Sequence, residues 1–228
     1  MYFGNDDLID IQAYINRHIT LAATRGLRFV EESDPHTFKT LWETLPSAQQ
    51  LPSMFDIDQS HLHMDNFWWP RFVDANGATV GIAAQRAFDT DDFARAVQHY
   101  EIFFSRPVQR WEPLLLHPEA PNLSGRIVIG GAFWFHPSDR GKGKAYAASQ
   151  LIQGISLRHF RPDYKVALFR ESEKARGQAK AEGYLNTAPF MTGPYPPHEF
   201  NPIDLFIGWQ TRDEMLVRIR RAERTAAE

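Results

Sequence analysis

The sequence predicts a mixed α/β (α+β) domain, and three observations lead there. An Asn76-Gly77 turn joins two β-prone runs, the strongest short-range hairpin signal a sequence carries. An apolar run, Ile127 to Phe135, passes through a glycine-rich turn into a helical pattern. Further strand-like and helical segments alternate along the rest of the chain. With 228 residues, 43% hydrophobic and 13% aromatic, the chain has material for one large core and none of the composition of disorder. A net charge of −3 is the wrong sign for a nucleic-acid footprint, and no nucleic-acid partner is expected. The absence of cysteine removes disulfides, thiolate metal sites and a cysteine nucleophile together. No run approaches a membrane span and Met1 to Asp10 lacks a secretory pattern, so a cytoplasmic protein without a membrane partner is the expectation.

Taken in order, Asn5 caps a helix over 5–25 with Leu8, Ile11, Ile15, Ile19 and Ala22 on one face and Gly26 past its end. Gly26 to Val30 reads as a short strand. Asp34 then caps a helix with Pro35 at its first position and Phe38, Leu41, Trp42 and Leu45 along it. Pro46 and Pro52 bracket a loop, and Phe55 to Asp65 reads as loop with a helical turn. Phe67 to Asp74 and Thr79 to Phe88 form the hairpin. Thr90 caps a helix carrying Phe93, Val97, Tyr100 and Phe104 on one stripe, and the proline-rich Arg106 to Gly125 follows as loop. After the central strand and helix come a strand at Tyr164 to Phe169 and a helix from a Ser172 cap through Ala181, closed by Gly183. Leu185 to Met191 is strand-like, Thr192 to Pro202 is loop, and Ile203 to Trp209 is the last strand. Thr211 and Glu214 form a capping box that opens a C-terminal helix with Met215, Leu216 and Ile219.

The stretch around Arg140 to Ala145 carries the functional signal. Strand, glycine-rich turn and helix is the geometry that aims free backbone N–H groups at an anion. Gly141 and Gly143 let the main chain approach a phosphate, and Arg140, Lys142 and Lys144 add positive charge. A nucleotide P-loop does not fit, because Ala145 follows Lys144 where Ser or Thr is required and Ser138 stands at the upstream glycine position.

The run from Phe135 to Ala145 resembles the acyl-CoA signature of the GNAT superfamily of N-acyltransferases, Arg/Gln-x-x-Gly-x-Gly/Ala after an apolar-x-Pro strand end. Arg140, Gly143 and Ala145 match the signature, and Phe135 and Pro137 match the strand end. The resemblance implies a GNAT-like, mostly antiparallel central sheet flanked by helices, spanning residues 1–228 as a single domain. Two pieces are additional to that layout: the N-terminal helix 5–25, and an insertion at 89–124 that contains a helix. Both are candidates for shaping a substrate pocket or an interface, with a homodimer as a candidate assembly, and both equally suit a role in covering sheet. The implied activity is acetyl transfer from acetyl-CoA, as co-substrate, to a primary amine on a small molecule or a protein, by direct attack on the thioester. The alternative is a non-catalytic acyl-CoA-binding sensor or interaction module.

By the same resemblance, the pantetheine arm runs along Phe133, Trp134 and Phe135, and the pyrophosphate sits on the N–H groups of Arg140, Gly141, Lys142, Gly143, Lys144 and Ala145. Relatives often carry a tyrosine four residues before a Gly-aromatic pair, where it protonates the leaving thiolate. Here the pair is Gly183-Tyr184 and the tyrosine position holds Ala179. Tyr195 is the candidate substitute acid, with His61, His63 and His136 as further candidate catalytic groups. Asp56, Asp58, His61, His63 and Asp65 invite a metal reading, but such residues on a surface loop are ordinarily solvated and no metal is expected. The aromatic triplets Phe67-Trp68-Trp69 and Phe133-Trp134-Phe135 fall on neighbouring strands in that layout, chiefly as core, with Trp68 or Trp134 as candidate pocket walls.

Overall fold

The structure is a computed structural model and describes residues 3–106, 112–194 and 203–227. Its elements in chain order are α1 (Asn5–Thr24), β1 (Arg28–Glu32), α2 (Pro35–Thr44), β2 (Phe67–Val73), β3 (Thr79–Thr90), α3 (Phe93–Gln98), β4 (Leu115–Leu116) and β5 (Gly125–Phe135). Then follow α4 (Lys144–Phe160), β6 (Tyr164–Arg170), α5 (Glu171–Ala175), α6 (Gln178–Glu182), β7 (Asn186–Gly193), β8 (Ile203–Thr211) and α7 (Arg212–Ala227). One eight-stranded sheet runs β1-β2-β3-β5-β6-β8-β7-β4. Every described pairing is antiparallel except β5 with β6, which α4 connects as a crossover. The mixed, mostly antiparallel sheet flanked by helices is the expected fold class.

Local chemistry sets several of the boundaries. Asp34 accepts from the backbone N–H groups of His36 and Thr37, with Pro35 at the first helical position. Asp74 accepts from Asn76 and Ala78 to close the hairpin. Glu214 accepts from the Thr211 N–H at 2.8 Å while the Glu214 N–H donates to Thr211 Oγ1, the reciprocal box expected there.

Two cores lie on opposite faces of the sheet. On one, α1, α4 and α7 bury Ile11, Ile15, Leu151, Ile155, Met215 and Ile219 against Trp68, Phe72 and Val128. On the other, α2, α3 with the segment after it, and the loop between α2 and β2 bury Phe38, Trp42, Phe55, Phe93 and Phe103 against Trp69, Ile82, Ile129 and Phe190. The N-terminal helix therefore covers α4 as well as sheet. Its close approach uses Gly154, where a Cβ would stand 2.9 Å from Ile15 and Tyr14 atoms. The insertion fills the second core with α3 and places β4 at the sheet edge against β7.

Five local expectations are corrected. The N-cap of α1 is Gly4, with Asp7 reaching back to its N–H, and β1 starts two residues later than expected. Asp92, not Thr90, caps α3, which stops at Gln98 because Tyr100 takes a left-handed backbone (φ 62°). Phe104 therefore lies beyond the helix. The single helix expected from Ser172 is two short ones capped by Arg170 and Gly177, since Gly177 is left-handed (φ 73°) and breaks the run. Finally, β3 lies between β2 and β5, so the two aromatic triplets are not on neighbouring strands.

Candidate functional site

The site begins where β5 and β6 part. Their parallel pairing covers Ile127–Tyr164, Val128–Lys165 and Ile129–Val166 and then stops. Beyond it β5 continues to Phe135 on β3, and β6 continues to Arg170 on β8. The two diverging strands enclose a cavity of about 660 Å³. It is lined from β5 by Gly130 through Phe135, from β6 by Lys165 and Ala167–Arg170, and at its far end by Trp42 and Phe55.

A bulge in β5 shapes this wall. The register steps from Ala84–Gly131 to Ile82–Trp134, so two residues on β3 face three on β5, and Ala132 adopts φ 47°. One inserted residue reverses the alternation of side chains. Ile127 and Ile129 face the α2 side and Val128 faces α4, whereas beyond the bulge Trp134 faces the α2 side and Phe135 faces α4. Phe133, Trp134 and Phe135 all line the cavity. Trp134 Nε1 donates to the Pro46 carbonyl at 3.2 Å, while Phe135 stacks on Phe72 at 5.9 Å and lies over Gly81.

The glycine turn adjoins the same cavity through Arg140 and Ala145. Pro137 to Asp139 form a single 3-10 turn, and Gly143, at φ 69°, is the N-cap of α4. Ala147 is bonded back to the Gly143 carbonyl, so the N–H groups before it in the first turn of α4 have no intrahelical acceptor. Gly141 (φ 74°) has nothing within 4 Å of where a Cβ would stand. The residues thus fit a phosphate: an open glycine, orphan donors and a helix N-terminus.

The charge around the turn differs from the expectation. Asp139 holds Lys144 at 2.7 Å and Lys142 at 3.7 Å, and the hydrogen bond from Lys144 keeps its carboxyl below the usual range. The Arg140 Nε–H donates to the Phe135 carbonyl at 3.1 Å. A further cation comes from α1: Arg25 Nη1 donates to the Gly143 carbonyl.

The candidate catalytic residues fall elsewhere. His61 and His63 are exposed, and neither lines the cavity, because Leu62 between them turns inward. Asp56 and Asp58 instead hold Lys39, at 2.8 and 2.5 Å, and no cluster of three or more metal-ligating side chains forms among the described residues. His136 Nδ1 bonds Ser138 Oγ at 2.7 Å and closes the 3-10 turn, also outside the cavity lining. Tyr195 lies outside the described residues. Trp68 is buried on the α4 side with Nε1 on Glu31, so only Trp134 of the two tryptophans is a wall.

Sequence reasoning missed a buried polar group at the inner end of the cavity. Gln85, Ser149, Gln153, Lys165, Glu182 and Tyr184 line it there. Lys165 Nζ donates to Ser156 Oγ at 3.2 Å, and Ser156 Oγ bonds Gln85 Oε1 at 3.1 Å. Burial and the nearby Arg218 bring the Lys165 amine down to about 7, with Glu182 acting against them. Burial raises the Glu182 carboxyl and the Tyr184 phenol. A signal was present: Ser149, Gln150, Gln153 and Ser156 interrupt α4 on positions that are all buried, and Lys165 sits inside an apolar strand. Ala179 is buried in an apolar cluster with Ala167, Phe169, Tyr184 and Phe206.

No protein-family model and no curated protein matches the chain. Among solved structures, it is similar to mutant forms of the spermidine/spermine N-acetyltransferase SpeG from Vibrio cholerae (9% identity, 84% of this chain and 98% of that one, TM-score 0.48). It is also similar to NAA60 from Arabidopsis thaliana in complex with acetyl-CoA (8%, 81% and 98%, 0.46). A third is a GNAT superfamily phosphinothricin acetyltransferase from Sinorhizobium meliloti in complex with acetyl-CoA (13%, 82% and 88%, 0.46). At these identities the likeness is one of fold, and it leaves the substrate of this chain open.

Proposed function

We propose that this chain is an acyl-CoA-dependent N-acyltransferase that transfers an acyl group, in the simplest case acetyl, to a primary amine. The observation that carries the reading is the parting of β5 from β6 directly beside the glycine turn of α4. The cleft takes an extended arm along Phe133 to Phe135, and the turn from Arg140 to Ala145 takes a pyrophosphate. Ala132 and Phe133, which the ladder to β3 skips, supply main-chain groups for the arm and for the thioester oxygen.

The amine nitrogen attacks the thioester carbon, a C–N bond forms and the C–S bond breaks. The departing sulfur keeps the bonding electrons and becomes a thiol by taking up the proton that the nitrogen sheds. Holding both reactants in one cleft supplies the orientation on which such a step depends. Trp42, Phe55 and Trp134 wall the end opposite α4, where the acceptor enters.

The test has two stages. Coenzyme A and acetyl-CoA should each raise the melting temperature, because a ligand that binds the folded state alone stabilises it by mass action. Incubation of acetyl-CoA with a panel of amines, read by mass spectrometry, should then show acylated product. Folded protein without a thermal shift at saturating ligand would sink the reading, and binding without product would reduce it to a binding module.

A further inference from the structure

We propose that the inner end of the cleft receives a carboxylate carried by the acyl group, bound by Lys165, so that the donor is the coenzyme A thioester of a short dicarboxylic acid. The inference rests on the acyl-CoA reading of the cleft and names its donor class.

Lys165 is one of the three residues of β6 that pair with β5, one position before the strands part, so it sits at the closed end of the cleft. It is 2% exposed, yet it lines the cavity. An ammonium has three N–H donors. Here one is used, toward Ser156 Oγ, and among the described residues no carboxylate lies within ion-pair distance of Nζ. A buried charge without such a partner is costly, and the amine is driven toward its neutral form. An incoming carboxylate reverses that balance by supplying the partner.

The groups facing Lys165 favour an anion. From α7 comes Arg218, whose guanidinium is bonded to neutral acceptors, the Gly183 carbonyl at 2.9 Å and Gln150 Oε1 at 2.6 Å. From α4 come the neutral Ser156 and Gln153, and after α6 the neutral Tyr184. Among the described residues the acidic group that acts on Lys165 is Glu182 of α6, whose carboxyl burial raises while the hydrogen bond from Gln178 opposes that shift. Arg218 and, once charged, Lys165 thus stand near a carboxyl whose charged form burial disfavours. A hydrocarbon acyl end would desolvate this polar surface with no return. The acyl chain must be short, because the cleft between the strands ends at the Ile129–Val166 pairing, next to Lys165.

Calorimetric titration of the full chain with coenzyme A, acetyl-CoA and succinyl-CoA tests the assignment. At about pH 8, in two buffers of different ionisation heat, succinyl-CoA should bind at least about tenfold tighter than acetyl-CoA and take up close to one proton, since the bound carboxylate recharges Lys165. K165M should lose both the preference and the proton uptake. Where K165M does not fold, K165R carries the test: the preference stays and the uptake disappears. Equal affinities for the two thioesters, or a preference that survives in K165M, overturns the proposal. So does binding of free succinate to the acetyl-CoA complex with the same proton uptake, which would put the carboxylate on the acceptor. If no thioester binds, the acyl-CoA reading itself fails and this inference falls with it.

Discussion

Arg25 Nη1 lies 2.6 Å from the carbonyl oxygen of Gly143, and the guanidinium occupies the space that a side chain at Gly143 would need. The residue that closes α1 is thereby fastened to the first turn of α4, 118 positions along the chain. The N-terminal helix consequently brings a positive charge to the glycine turn, where Asp139 already neutralises Lys142 and Lys144 in part.

The first prediction follows from that contact. Arg25→Met should weaken acetyl-CoA binding by about three- to tenfold, the scale of one charge near a helix terminus, and reduce its dependence on salt. Titrations at two ionic strengths give both quantities. An affinity and salt slope equal to wild type would leave Arg25 a packing contact only.

Gly143→Val should be worse. The position has φ 69°, which a β-branched residue adopts only under strain, and the new methyl groups meet Arg25. Losing several charge-assisted hydrogen bonds to a pyrophosphate, each on the order of 1.5–3 kcal/mol, should cost about a hundredfold or more in affinity. Circular dichroism must first show the variant folded. Gly77→Asn in the hairpin turn is the control, since that site is open and asparagine tolerates its left-handed backbone. Gly81→Ala is unsuitable, because its Cβ would stand 2.6 Å from the Phe135 ring and disturb the cleft wall. Tight binding by folded Gly143→Val would mean that the turn holds no phosphate.

Ala179→Tyr tests whether a tyrosine is accommodated at the position where the resembled signature would carry one. Ala179 is 4% exposed and packed against Ala167, Phe169 and Phe206, so the larger ring overpacks the cluster. A destabilisation of about 1–3 kcal/mol in urea is expected rather than a gain in turnover. A variant as stable as wild type would show room for a hydroxyl there.

His18 makes stability depend on pH. Its ring lies 4.2 Å from the Tyr14 ring, Nδ1 has no hydrogen-bond partner among the described residues, and burial, with Arg17 and Arg218 adding to it, lowers its pKa to about 4. Between about 6.5 and 4 the unfolded chain binds a proton that the folded chain refuses, so stability held above that window is lost as pH falls through it. His18→Leu should show a smaller fall in urea midpoint between pH 7 and about 5 than wild type. Identical falls in both proteins would remove His18 as a cause.

Arg86→Met probes the attachment of the insertion. Arg86 Nη1 donates to the Met54 and Ile102 carbonyls at 3.0 and 2.5 Å, tying β3 to the α2–β2 loop and to the segment after α3. Leaving two buried carbonyls without a donor should cost roughly 2–5 kcal/mol by denaturant unfolding. A loss within experimental error would show that water replaces the guanidinium.

The chemistry decided within a few residues was legible in the chain. Asp34-Pro35, Asn76-Gly77 and Thr211 with Glu214 each specify a boundary through their own hydrogen bonds and backbone preferences. The strand, glycine turn and helix from Ile127 to Phe160 were legible for the same reason. Tyr100 and Gly177 were missed because a left-handed residue within a helical pattern leaves no periodic trace.

Tertiary structure decided the rest. Whether Phe133, Trp134 and Phe135 face one core or the other depends on the single extra residue at Ala132, and that bulge exists only through the register with β3. The pairing of β5 with β6 stops after three residues because β6 follows β8 while β5 follows β3, a competition between partners far apart in sequence. Lys165 reads as an ordinary lysine in a strand. Its neutral tendency and its place at the end of the cleft come from the walls that α4, α6 and α7 build around it, and burial is a property of those distant neighbours, not of the residue.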